Sequence, residues 1–368
     1  MRNTKTLVAG IAGVSMLLLA GCSQGGTSSA STTPAAPAAS TTPVAAAPAP
    51  FDKPGVKIAI VQQSGQGDYF QQYLNGTKKQ AAALGVDLSV YDAQGDNATQ
   101  ATQLDQAISS GVAGIIVRHG FPDTLCPGVN KALQKGIKVV IYDIEIQKCA
   151  PDAVQTQQSD AKMASLVLDQ MVTDIGTGKN VGYVNVAGIA PLDRRDKVWR
   201  DYVQKQSWKQ LFYTGTFTNS TATDTAPMVS NALRANPDVA AIYAPYDELS
   251  KATLSALEQN PNLKGKVKVY GADISTADIE LMTAADSPWV ATGATDPNAI
   301  GAAVLRTLAL NMAGTVAKSA TVDFPPILIT QDFLRSKNIR NMVDLRAAEP
   351  SLNISDISSA DWIPTVTF

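Results

Sequence analysis

The sequence predicts an α/β protein built as two doubly wound parallel-sheet lobes. Three observations carry this. The first is the stretch Val56–Gly85. An apolar, β-branched run (Val56–Val61) is followed by a polar, glycine-containing loop (Gln62–Asp68). Tyr69, Phe70, Tyr73, Leu74, Thr77, Ala81 and Leu84 then recur at helical spacing, and Gly85 is a stop signal. The second is that this strand–loop–helix unit repeats down the chain in strict alternation, the pattern of parallel sheets covered by helices on both faces. The third is the number of strands, which is large for one sheet. A polar break at Gln155–Asp160 divides them into two sets with the same element pattern.

In order, the periodicity predicts a strand at Val86–Tyr91, a helix at Ala98–Ser110 behind the turn Asp96–Asn97, and a strand at Val112–Val117. A helix at Leu125–Lys135 and a strand at Ile137–Asp143 follow. Beyond the break come the helix Ala161–Ile175, strand Asn180–Val186, helix Asp193–Gln206 and strand Leu211–Phe217. Next are the helix Thr223–Ala235, closed by Asn236-Pro237, the strand Ala240–Ala244 and the helix Ser250–Gln259. The last alternations are strand Lys266–Gly271, helix Thr276–Thr283, strand Trp289–Ala294 and helix Asn298–Met312. In open sheets of this kind ligands bind outside the carboxyl ends of the strands. That makes the loop after the first strand, with Gln63, Asp68, Tyr69 and Phe70, a candidate site.

The first fifty residues speak of location. Met1–Cys22 has a basic start (Arg2, Lys5), an apolar core (Leu7–Leu19) too short to span a bilayer, and the ending Leu19-Ala20-Gly21-Cys22. It resembles a bacterial lipoprotein signal, which implies cleavage before Cys22 and lipid on its sulfur; the alternative is an ordinary signal peptide. Residues 23–52 are expected to be a tether. Ser23–Pro50 contains only Ser, Thr, Ala, Pro, Gly, Gln and Val, carries no charge and cannot bury a core. The localisation expected is the extracytoplasmic face of the cell membrane. With Cys22 lipidated, Cys126 and Cys149 are either a disulfide or two free buried thiols. The net charge of −2 provides no basic footprint for nucleic acid.

With the strand ends in place, the chain from about Val56 to Thr330 resembles the periplasmic sugar-binding proteins of the ribose/galactose-binding kind. The matching pieces are Gly67-Asp68-Tyr69-Phe70, Asp92-Ala93-Gln94-Gly95-Asp96-Asn97, Tyr142-Asp143, Arg195 with Trp199, Tyr246-Asp247-Glu248 and Tyr270-Gly271-Ala272-Asp273. The resemblance implies the type I periplasmic binding protein fold, with two lobes joined by a three-strand hinge. Crossings fall at Gln155–Ser159, Thr295–Pro297 and Pro326–Leu328. An N-terminal lobe of 53–157 and 297–326 then faces a C-terminal lobe of 158–296 and 327–368. The implied role is that of a solute-binding lipoprotein. It captures a monosaccharide or polyol and delivers it to an ABC transporter permease, as a monomer with no cofactor.

The residues suit such a ligand. Buried carboxylates make strong bonds to hydroxyls, and aromatic faces cover C–H faces. In the family the positions of Asp143 and Asp273 contact ligand, although a strand-end Asp also serves as a helix cap, and Asp247 reads more as a cap. Tyr69 and Phe70 fall where stacking aromatics are expected. Departures from the family pattern are Tyr246 in place of an Asn, Ile144 then Glu145 in place of an arginine, and Thr295 in place of a hinge Gln. The second-lobe arginine aligns with either Asp193 or Arg194. Arg118 reads as a cleft residue or a structural ion pair, and His119, the single histidine, as a surface-loop residue without metal partners. One histidine builds neither a Ser/His/Asp set nor a metal cluster, so no enzyme is expected. Two alternatives stay open: a ligand sensor signalling to a membrane partner, and a carboxylate-based envelope glycosidase.

Overall fold

The computed structural model describes residues 46–368; the signal segment, Cys22 and residues 23–45 of the expected tether lie outside the described residues. The chain lays down β1 (Val56–Gln62), β2 (Val86–Asp92), β3 (Gly114–Arg118), β4 (Lys138–Tyr142) and β5 (Val154–Gln158) in a first sheet. It then lays down β6 (Asn180–Val184), β7 (Lys209–Thr214), β8 (Ala241–Ala244), β9 (Lys268–Ala272) and β10 (Trp289–Ala294) in a second. It returns to the first sheet as β11 (Thr321–Phe324) and crosses again as β12 (Ile327–Thr330). Each sheet has six strands, in the orders β2-β1-β3-β4-β5-β11 and β7-β6-β8-β9-β10-β12. The two halves therefore share one doubly wound topology.

The helices are α1 (Asp68–Leu84), α2 (Asn97–Ser109), α3 (Pro122–Gln134), α4 (Asp160–Ile175), α5 (Ala190–Lys205) and α6 (Thr221–Ala235). They continue as α7 (Asp247–Glu258), α8 (Thr276–Thr283), α9 (Pro297–Met312), α10 (Gln331–Ser336) and α11 (Met342–Ala348). Strand alternation decides which helices pack where. On β1, Ile58 and Ile60 join Tyr73 of α1 and Ile300 of α9, while Ala59 and Val61 join Leu104 of α2 and Val129 of α3. Helices α1 and α9 approach closely because both contact points are glycine. A Cβ on Gly76 would stand 1.9 Å from the Asn298 carbonyl oxygen, and one on Gly301 would stand 2.0 Å from that of Tyr73.

The chain passes between lobes three times. β5 feeds α4, which packs on β9, β10 and β12; β10 feeds α9, which packs on α1, β3 and β4; β11 feeds β12. These are the three hinge strands. Two details differ from what the hydrophobic pattern alone predicts. The polar break, where the resemblance puts the first crossing, carries a strand, β5, with Gln155, Thr156 and Gln158 buried: Thr156 Oγ1 donates to the Ile141 carbonyl at 2.8 Å and Gln158 Oε1 accepts from Thr295 at 2.8 Å, while Gln155 Oε1 has no partner. The second sheet is also not wholly parallel, since β12 pairs antiparallel with β10.

The chain ends depart further from expectation. The C-terminal segment does not stay on the second lobe. Arg306 of α9 donates to the Ile354 and Ile357 carbonyls at 2.9 and 2.8 Å, Gln80 of α1 donates to the Pro364 carbonyl at 2.9 Å, and Ile363 packs with Ala309. Residues 46–52, expected as tether, end in a turn whose Phe51 ring lies 5.1 Å from that of Trp362. Cys126 in α3 and Cys149 after β4 form a disulfide with Cα atoms 5.9 Å apart. Among the described residues no helix is long and apolar enough to cross a membrane.

Candidate functional site

The carboxyl ends of both sheets open on one narrow cavity lined by both lobes. The first lobe contributes Gln63, Tyr69, Phe70 and His119; the second contributes Leu192, Arg195, Phe217, Tyr246 and Asp273, with Gln158 on the hinge.

Asp143 and Asp273 occupy equivalent places, each immediately after the fourth strand of its sheet. Both sit in left-handed backbone, φ 54° and 73°. Asp tolerates this region better than most residues. The next strand fixes each one. The Asp143 N–H donates to the Thr156 carbonyl at 3.0 Å and the Asp273 N–H to the Gly293 carbonyl at 2.8 Å. Asp143 Oδ2 and Asp273 Oδ1 are buried with no hydrogen-bond partner. Left-handed backbone and unpaired carboxylate oxygens at matched positions of the two lobes make this pair the candidate for ligand contact. Burial, reinforced by the nearby Asp160 carboxylate, pushes Asp143 up to about 7 against the pull of Arg194 and Arg195. Burial also lifts Asp273 to about 6, opposed by Arg195.

Two adjacent arginines behave differently. The buried stripe of α5 is Pro191, Leu192, Arg195 and Trp199, a helical spacing that turns Arg195 inward. Its Nε donates to Asp160 at 2.7 Å, its Nη1 donates to the Pro245 carbonyl at 2.6 Å, and Nη1 lies 3.8 Å from Asp273. Arg194 instead clamps the lobes at the rim, meeting Asp143 at 2.6 Å, Glu145 at 2.7 Å and Asp160 at 2.7 Å. The inward arginine is thus one residue beyond the two sequence candidates, and the Arg195–Trp199 spacing was the signal for it.

Other candidates also move. Arg118 is a buried support. Its guanidinium donates to the Phe70 and Ser64 carbonyls at 3.0 and 2.5 Å and lies 5.0 and 4.8 Å from the Phe70 and Tyr73 ring centroids, and it does not line the cavity. Asp68 faces Lys251 of the second lobe at 2.8 Å and accepts from Ser275 Oγ at 3.1 Å, so it closes the seam between lobes. Glu145 serves Arg194 at the rim. Thr295 is buried at the hinge, donating to Gln158 Oε1 at 2.8 Å. Tyr69, Phe70 and Tyr246 do line the cavity, and the Tyr69 hydroxyl bonds that of Tyr142. His119 is no surface residue: it is 8% exposed in a left-handed turn, φ 52°. Burial and the neighbouring arginines hold its imidazole well below its usual range, so its 3.9 Å approach to Asp143 joins a neutral ring to the carboxylate. Gln158, Leu192 and Phe217 were missed, since single apolar or amide side chains carry no sequence mark of a ligand site.

A hinged pair of α/β lobes enclosing a cavity lined from both sides, with Asp273 on its wall and Asp143 buried beside His119, defines a cleft-type solute-binding protein. Residues 58–315 match the periplasmic binding protein domain family, to which this chain belongs. A 5-methylthioribose transporter solute-binding protein from Thermotoga lettingae is similar at 36% identity, covering 86% of this chain and 98% of that one with a TM-score of 0.81. A sugar ABC transporter protein from Yersinia enterocolitica is 30% identical over 84% of this chain and 94% of its own, with a TM-score of 0.80. The ribose import binding protein of Salmonella typhimurium is 27% identical over 67% of this chain and 81% of its length.

Proposed function

We propose that this protein captures a small, uncharged sugar or polyol between its lobes and hands it to the permease of an ABC transporter, acting as a binding protein and not as an enzyme. It works as a monomer held at the outer face of the membrane by lipid on Cys22. The observation that carries this is the pair Asp143 and Asp273, one from each lobe, each with a buried oxygen left unpaired. A hydroxylated ligand supplies the missing donors, and contact with both carboxylates favours the closed state. Arg194 and Arg195 are already engaged by carboxylates, so an anionic ligand meets no free cation there. The ligands named for solved relatives, 5-methylthioribose, allitol and myo-inositol, belong to the same chemical class. The Thermotoga lettingae and Yersinia enterocolitica relatives are named as transporter proteins, which supplies the transporter setting.

A thermal-shift screen of sugars and polyols tests the class, because ligand at a hundred times its Kd adds about 2.7 kcal/mol. With a hit in hand, Asp143→Ala and Asp273→Ala are each expected to weaken binding by about 1–3 kcal/mol while the fold persists. Binding by both variants at the parent's affinity counts against the proposal.

A further inference from the structure

Part of the hydrogen-bonding capacity around the cavity is already spent. Gln63 Nε2 donates to Asn97 Oδ1 at 2.8 Å, Gln158 Oε1 accepts from Thr295 at 2.8 Å, and Arg195 is held by Asp160 and the Pro245 carbonyl. Buried and unpaired are Asp273 Oδ1 and His119 Nδ1, whose residues line the cavity, and Asp143 Oδ2, which lies behind the wall 3.9 Å from His119 Nε2. The rest of the wall offers little. Ile189, Pro191 and Leu192 present aliphatic surface at the start of α5, and Phe217 and Phe70 present rings. Tyr246 also contributes its ring. Its centroid lies 6.4 Å from that of Phe70 and 6.5 Å from that of Phe217, and its hydroxyl is turned toward Gly67 of the opposite lobe, 3.3 Å from where a Cβ on that glycine would stand.

A hydroxyl set against this wall leaves water and finds no partner; a methyl or thioether group gains burial instead. We infer that the ligand is a pentose-sized sugar with two ends. Hydroxyls at one end meet the Asp143 and Asp273 oxygens, and an apolar substituent at the other end lies against Leu192, Ile189 and Phe217. A fully hydroxylated hexose or hexitol fits this partition worse. Leu192 and Phe217 then determine specificity. This inference rests on the sugar-binding reading above and narrows it.

The test is titration calorimetry on the mature protein with 5-methylthioribose, 5-deoxyribose, ribose, allitol and ribose 5-phosphate. One buried methyl-sized group is worth about 10–200-fold in discrimination. Either apolar-ended sugar is therefore expected to bind at least tenfold tighter than ribose, and ribose 5-phosphate to bind weakest. Leu192→Asn, with Phe217→Asn as a second variant should the first not fold, should cut the 5-methylthioribose-to-ribose affinity ratio at least fivefold. Ribose or allitol binding as tightly as 5-methylthioribose, or an unchanged ratio in the folded variant, overturns the inference and leaves the sugar-binding reading standing. Failure of every sugar and polyol to bind overturns both.

Discussion

Asp143 illustrates how closure changes a single residue. Its side chain is wholly inaccessible, packed between Arg194, His119 and Tyr142. Burial first, then the Asp160 charge, raises its carboxyl from the ordinary range near 3.8 to about 7. The shift comes from the closed cleft, and opening or unfolding restores ordinary solvation. The closed form therefore holds the proton more tightly. Its advantage is fully present below about pH 4 and is lost as pH rises through about 7. Asp273, raised to about 6 by burial, adds to the same trend. Small-angle scattering of the unliganded protein is expected to show a larger radius of gyration at pH 8 than at pH 5. Asp143→Asn should shrink that difference, and parallel profiles for parent and variant would contradict the assignment.

At the scale of elements, α1, α7 and α8 meet at one ammonium. Lys251 of α7 lies 2.8 Å from Asp68, 3.3 Å from Asp247, 2.8 Å from Glu248 and 3.3 Å from Asp278. Burial raises the Asp247 and Asp278 carboxyls, and these acids push Lys251 up in turn. Only Asp68 belongs to the first lobe, so the two sides of the cluster have different duties. Asp68→Asn should loosen the closed state alone, by about 1 kcal/mol or less for a partly exposed pair. The expected readout is up to about fivefold faster ligand dissociation with little change in melting temperature. Lys251→Met strands buried carboxylates and should cost about 3–5 kcal/mol of stability. Comparing dissociation rates and melting curves checks both, and equal losses of stability in the two variants would rule out this division.

The proposed function adds a lipid anchor to the hinged body. The cleft and both hinge-linked sheets lie within residues 46–368, whereas the proposed lipid site is Cys22. Cys22→Ser is therefore expected to leave ligand affinity unchanged and to move the protein from the membrane fraction to the soluble one. Membrane association that persists in the variant would show that lipid on Cys22 is not the tether.

Two kinds of information built this protein. The sequence by itself determined the alternation of strand and helix, the division into two sheets, and the carboxylates at the ends of β4 and β9. Each of these is a local property: hydrophobic period reports which face is buried, and turn residues report where an element stops. The polar strand β5 escaped because its burial depends on partners such as Ile141 and Thr295. Only the tertiary structure turned Arg195 inward where the sequence offered Asp193 or Arg194, set Arg118 beneath the Phe70 ring, returned residues 353–368 to the first lobe and gave Asp68 to a lysine 183 positions away. Those outcomes depend on which distant groups the two lobes bring together. A charged side chain's role is fixed by the partner that compensates its desolvation, and in this fold that partner lies on another element or on the other lobe.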